Sequence, residues 1–202
     1  MKKMRLILAT RNSGKVAEIM HLLEGMDVDA GSLDEHPEVP EVVEDGSTFL
    51  ANALKKAREV AAATGCWALA DDSGLVVEAL GGAPGVESAR YAGKQGDYQA
   101  NNEKLLREMR GVPDGKRGAA FVCTMALAAP DGREWTTEGR CEGEIIREYR
   151  GGGGFGFDPL FYVPEERATM AELPMERKNA ISHRGRALRK MKEILVEILR
   201  ES

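Results

Sequence analysis

The 202-residue sequence contains few cysteines, few aromatic residues and no surplus of positive charge. Three cysteines, Cys66, Cys123 and Cys141, lie far apart. They have no spacing typical of a zinc site, and an odd, sparse set argues against a disulfide scaffold. Such usage suits a reducing, cytoplasmic setting. No apolar run approaches the length of a membrane span, and the N-terminal run, Leu6 to Ala9, is too short for a secretory leader. Against 33 acidic residues stand 28 basic ones, a net charge of -5. That balance disfavours a general nucleic-acid binder, which carries a basic surface. Hydrophobic residues make up 43% and charged residues 30%, enough for a packed core and too apolar for a disordered chain. The length suits one domain over residues 1–202, built as one body or two closely packed lobes.

The chain opens with a short apolar run read as a buried strand. Turn residues Thr10-Arg11-Asn12-Ser13-Gly14 follow. Val16, Ile19, Met20 and Leu23 then recur at helical spacing, with Asn12 or Ser13 available as the cap. Residues 34–46 are acidic and proline-containing and read as an extended loop. A second helix is expected after Ser47 or Thr48, ending at Gly65. Cys66 to Ala70 reads as a strand delivering Asp71-Asp72-Ser73-Gly74 at its end. Asp97 is placed to cap a helix running to about Met109. Ala119–Ala128 and Glu134–Cys141 read as a hairpin around Asp131-Gly132, with a further strand over Glu144–Tyr149. Leu160–Val163 reads as a short strand. A long final helix carries Leu188, Met191, Leu195 and Ile198 on its apolar side. Alternating strands and helices followed by a hairpin predict an α/β fold with a mixed sheet.

Five segments carry candidate chemistry. Thr10 to Lys15 joins a strand to a helix N-terminus, where backbone N–H groups and the dipole suit an anion and Lys15 adds charge. It is not a Walker A loop, because Ala9 and Val16 stand where that motif needs Gly and Ser or Thr. Asp71 and Asp72 are adjacent carboxylates that need water or a cation such as Mg²⁺. Successive strand residues face opposite ways, so one of the pair serves a given site and the other braces. Glu41, Glu44 and Asp45 can lend a further metal ligand. Phe155-Gly156-Phe157-Asp158 follows four glycines and offers flat rings for a base and a carboxylate for its ring N–H groups. Lys178 with Ser182-His183-Arg184 supplies cations and donors for phosphate or a base carbonyl. Taken singly, each also reads as an ordinary turn, hinge or surface helix.

Jointly they are specific. LATRNSGK, EDGSTFLANALKKA, ADDSGL, EALGGAPGVESARYAG, GGFGFDPLF and KNAISHRGRAL together resemble the inosine triphosphatase or Ham1-like family over almost the whole chain. The resemblance implies an elongated mixed β-sheet flanked by helices, with two lobes, a central nucleotide cleft and a homodimer. It implies Mg²⁺-dependent hydrolysis of the non-standard purine nucleotides ITP, dITP and XTP to monophosphate and pyrophosphate, cleansing the nucleotide pool. It further implies roles for individual residues. Asp72 would be proton acceptor and metal ligand, with Glu44 as second ligand and Glu41 behind it. Thr10, Arg11, Asn12, Ser13, Gly14, Lys15 and Lys56 would hold phosphates, and Ser73 would touch substrate. Phe155, Gly156, Phe157, Asp158, Lys178, His183 and Arg184 would form the base and sugar end. Donors at His183 and Arg184 would accept a 6-oxo purine and repel an adenine amino group. Three departures stand out. Arg11 replaces a frequent Gly, Val43 precedes Glu44 where the family often has a second Glu, and Phe157 replaces a frequent Tyr.

Overall fold

In the computed structural model, residues 3–201 are described, and the first and third strands arise where apolar runs meet turn chemistry. β1 (Met4–Leu8), α1 (Ser13–Leu23), β2 (Val28–Ser32), α2 (Phe49–Thr64) and β3 (Trp67–Val77) come first. α3 (Tyr98–Glu108), β4 (Gly118–Ala128), β5 (Glu134–Ile145), β6 (Phe161–Val163), β7 (Ala168–Thr169), α4 (Met175–Ile181) and α5 (His183–Glu201) complete the chain. The seven strands form one sheet in the order β2-β1-β3-β4-β5-β6-β7. β1 runs parallel to β2 and β3, whereas β6 runs antiparallel to β5 and β7, so the sheet is mixed. The fold is α/β, as the alternation of elements predicts.

Residue contacts divide the chain into two compact units. The first combines the stretch up to Asp72 with Cys123–Gly139 and the stretch from Arg184; the second combines Ser73–Val122 with Arg140–His183. In the first unit, alternation along the strands sorts two cores. Leu6, Leu8, Leu69, Cys123, Met125 and Leu127 pack with Ile19 and Leu23 of α1 and with Leu188, Met191, Leu195 and Ile198 of α5. Ile7, Ala9, Ala68, Ala70, Ala126 and Ala128 face the other way, onto Ala53, Ala57, Val60 and Ala61 of α2. Small residues on this second face let α2 lie close to the sheet. The second unit packs Leu75, Val77, Leu105, Phe121, Leu160 and Phe161 around a separate core.

Helix boundaries follow local chemistry. Asn12 caps α1 by accepting from the Lys15 N–H at 3.1 Å, Thr48 caps α2 through Ala51 N–H at 3.1 Å, and Asp97 caps α3 through Ala100 N–H at 3.1 Å. Gly65 closes α2 with φ +65°, a conformation that favours glycine.

Three expectations need correction. β3 does not stop at Ala70; Asp71, Asp72, Ser73 and Gly74 lie inside it, where Lys15 and Asn52 on neighbouring helices partner the two carboxylates. Glu134 to Ile145 is a single strand, with no separate strand over Glu144–Tyr149. Gly143 is no break in it: a Cβ there would stand 2.5 Å from the Tyr162 carbonyl, so the glycine admits β6 at close range. The C-terminal helix is preceded by α4, and Ser182 between them is extended at φ -66°, ψ 159°. Lys178 therefore lies on α4, while His183 and Arg184 open α5. β2 and β7 are short edge-region strands without a strong apolar pattern.

Candidate active site

In the first unit, β3 sorts its two aspartates by the same alternation that sorts its core residues. Asp71 shares a face with Leu69, towards α1 and α5; Asp72 shares a face with Ala68 and Ala70, towards α2. The Asp71 carboxylate receives Lys15 Nζ at 3.1 Å and Arg184 Nη2 at 3.2 Å. Arg184 also pairs with Glu18 of α1. Two cations and two carboxylates thus balance in a buried cluster, in which the Asp71 and Arg184 side chains are 0% and 3% exposed. Burial, the largest influence, would lower the Lys15 pKa, but Asp71 and Asp72 together hold the ammonium above its usual range. Arg184 is likewise opposed by burial and raised by Asp71 and Glu18.

Asp72 accepts from Asn52 Nδ2 at 2.9 Å. Burial is the main cause that pushes its carboxyl up to about 6; Lys56 and Lys15 pull it down, and Glu44 adds to the rise. Lys56, one turn after Asn52 on α2, donates to the Asp71 carbonyl at 2.7 Å and pairs with Glu44 at 3.0 Å. The acidic loop is fastened along its length. Asp45 pairs with Lys55 at 2.7 Å, and Gly46 N–H donates to Asn52 Oδ1 at 2.8 Å. Ser73 is half-buried beside Asp72.

Before α1, Thr10 Oγ1 accepts the Asn12 N–H at 3.1 Å, so the turn is set by its own side chains. Arg11 needs no left-handed backbone, since Arg167 is the one non-glycine with positive φ among the described residues. Its guanidinium donates to the carbonyls of Val39 at 2.9 Å and His36 at 3.3 Å. Arg11 therefore holds the loop after β2, and Ser13 and Gly14 open the helix.

In the second unit, Asp158 organises the glycine-rich segment. Its Oδ2 accepts the Phe155 N–H at 2.8 Å and Lys178 Nζ at 2.7 Å. Gly154, at φ +69°, makes room for that carboxylate: a Cβ there would lie 2.1 Å from Oδ2. Lys178 Nζ also sits 5.0 Å from the centre of the half-buried Phe155 ring. Asn102 Nδ2 donates to the Gly156 carbonyl at 2.9 Å. Phe157, by contrast, is a core residue, 4% exposed and edge-on to Tyr91 at 6.4 Å. His183 is buried and stacks on Phe121 with centroids 4.8 Å apart.

The sequence-derived set thus falls into two groups. Thr10 to Lys15, Glu44, Lys56 and Asp72 gather in the first unit, joined there by Arg184. Phe155, Gly156, Asp158, Lys178 and His183 belong to the second. Asn52 and Glu18 were not among the expected site residues. Asn52 precedes Lys56 by four, so both lie on one helix face among alanines, a polar pair on an apolar stripe that marks them. Glu18 carries the same kind of mark, three residues after Lys15 on α1.

The donor set near Asp72 also tests for a metal. Among the described residues no group of three or more His, Cys, Asp or Glu side chains could hold an ion. Zinc or a protein-caged calcium would ask for more ligands. Glu44 and Asp72 are two hard oxygen donors, the charge of Glu44 adds to the rise of the Asp72 carboxyl, and a divalent cation would relieve that repulsion. Mg²⁺, which keeps waters and takes phosphate oxygens, fits this pair.

Residues 6–194 match the family model described as the Ham1 family. A dITP/XTP pyrophosphatase of Desulforamulus reducens is 58% identical, the match covering 95% of this chain and 96% of that protein. Another, of Geobacter sulfurreducens, is 56% identical over 95% and 96% of the two chains. A Ham1 protein from Coxiella burnetii superposes with a TM-score of 0.87 at 45% identity, covering 96% of this chain and 99% of that one. The Staphylococcus aureus Ham1 protein gives a TM-score of 0.85 at 38% identity, with 96% and 98% covered. With this sheet order, this acidic strand and these matches, the chain belongs to the Ham1 family.

Proposed function

We propose that this protein hydrolyses dITP, ITP and XTP to the nucleoside monophosphate and pyrophosphate, removing non-standard purines from the nucleotide pool. The observation that carries the reading is the arrangement around β3: Lys15 and Lys56 flank Asp72, with Glu44 against Lys56. Cations beside a buried carboxylate suit a polyphosphate whose attacking water must be held and deprotonated. The relatives named dITP/XTP pyrophosphatase point to the same substrates.

Thr10, Asn12, Ser13 and Gly14 shape the N-terminus of α1, where the helix dipole favours phosphate. Lys15 and Lys56 supply positive charge along the triphosphate. Asp72 orients the water and takes its proton, and Ser73 lies beside it to contact substrate. Asp72 and Glu44 would hold Mg²⁺, which would offset phosphate charge and ease departure of pyrophosphate. Arg11 supports this end by holding the loop rather than by reading phosphate.

At the base end, Phe155 offers a ring for stacking, with Gly156 beside it and Lys178 held under it by Asp158. Phe157 supports the segment from the core. His183 is the donor for the purine 6-oxo group, and an adenine amino group would meet it unfavourably. Arg184 steadies Asp71 and Lys15 instead of touching the base. The working assembly is a homodimer in a cytoplasmic setting. No helix among the described residues is long and apolar enough to cross a membrane.

A product assay tests the reading. dITP, XTP, GTP and ATP are each incubated with Mg²⁺ or chelator, and pyrophosphate is separated from orthophosphate. Mg²⁺-dependent release of pyrophosphate from dITP and XTP, with ATP nearly inert, is expected. Orthophosphate with a nucleoside diphosphate would overturn the reaction class.

A further inference from the structure

The acidic loop is held by α2 at three consecutive residues: Glu44 by Lys56, Asp45 by Lys55 and Gly46 by Asn52. Of the three fastenings, the one at Asn52 also touches Asp72. The Asn52 side chain is 1% exposed, and both ends of its amide are in use. Gly46 N–H is a donor, so it must face Oδ1, which accepts it at 2.8 Å. That fixes Nδ2 towards the Asp72 carboxylate at 2.9 Å and the Gly46 carbonyl at 3.4 Å. The reverse orientation would set amide hydrogens against a backbone N–H. The loop backbone therefore decides which end of the amide Asp72 meets. Gly46 is required for space: a Cβ there would lie 2.6 Å from Asn52 Oδ1.

We propose that Asn52 is a positioning residue: its amide clamps the Gly46 backbone to the Asp72 carboxylate, setting where Glu44 and Asp72 stand for a divalent cation. The inference rests on the metal role given to those two carboxylates above. Asn52 itself touches neither substrate nor ion. It acts through the loop on one side and through Asp72 on the other.

The experiment uses nucleotide-free full-length protein, with Mn²⁺ binding followed by calorimetric titration and dITP turnover measured in parallel. Outer-shell partners of metal ligands are worth about 10- to 100-fold in affinity or activity. Asn52→Ala is expected to weaken Mn²⁺ binding at least tenfold and to lower kcat with little change in KM. Gly46→Ala, which reaches the same clamp from an exposed loop, should reproduce the weakened binding even if Asn52→Ala folds poorly. Lys55→Ala loosens the same loop without touching Asp72 and should leave Mn²⁺ affinity within twofold. Wild-type Mn²⁺ affinity in Gly46→Ala, or an Asn52→Ala variant changed only in melting temperature, would overturn the inference. If Asn52→Ala weakens Mn²⁺ binding but the wild-type protein turns over no nucleotide, the functional reading falls and the clamp stands.

Discussion

Asp71 and Asp72 are consecutive residues of β3 that answer to different helices: Asp71 to Lys15 of α1 and Arg184 of α5, Asp72 to Asn52 of α2. The pleat of the strand turns the two carboxylates to opposite faces of the sheet. Asp71 is locked by two cations. Asp72 is buried with its carboxyl raised to about 6, poised closer to neutrality than an ordinary aspartate.

Asp72→Asn keeps the shape of the side chain, and its carbonyl oxygen can still accept from Asn52. The fold should survive while kcat for dITP falls by about 10²-fold or more, the range set by a lost general base. Turnover near wild type, at unchanged melting temperature, would take Asp72 out of the chemistry.

Lys15→Ala removes a charge assigned to the phosphates, which are the same on every nucleotide. KM should rise by a similar factor for dITP, XTP and GTP. A loss confined to one base would move Lys15 to base recognition. Asp71 keeps Arg184, so the variant should remain folded.

Arg184→Ala takes the guanidinium away from both Asp71 and Glu18. Breaking a buried ion pair costs about 3–5 kcal/mol, which for a chain of this size lowers Tm by roughly 6–20 °C. Thermal melts of Arg184→Ala and of Glu18→Gln with Arg184→Met check it. The double variant should recover part of the loss, because it leaves Glu18 no stranded charge.

Gly154 and Gly156 both sit at positive φ, +69° and +62°, but only at Gly154 would a Cβ strike another group, the Asp158 carboxylate. Gly156→Ala should cost about 1–2 kcal/mol from backbone strain alone. Gly154→Ala should cost more and should also raise KM for every purine, since Asp158 orders Phe155 and Lys178. Equal effects of the two substitutions on KM would detach Asp158 from the base end.

Much of this was written locally. Thr48 and Gly65 bound α2, Asp97 opens α3, and the alternation of β1 foretells two cores. Asp72 and Lys15 stand out because adjacent carboxylates and a lysine at a helix start are costly without a purpose. Other features depend on partners distant in sequence. β3 runs on through Asp71-Asp72-Ser73-Gly74, which locally reads as a turn, with its two carboxylates partnered from neighbouring helices. Arg184 reads as a donor for the base, and its pairing with Glu18, 166 residues away, has no local signal. Phe157 looks like a twin of Phe155, yet core packing takes one ring and leaves the other half-buried.

The core shared by Leu6, Leu8, Ile19 and α5 joins the first strand to the last helix of the structure. During synthesis, Leu6 and Leu8 emerge early but cannot complete their packing until Leu188, Met191, Leu195 and Ile198 have left the ribosome. The unit that holds β1 therefore closes only after all of the second unit has been made, and its nascent strands remain sticky until α5 emerges. A stop codon ahead of α5 would strand that surface in water, giving an aggregating product rather than a shortened enzyme.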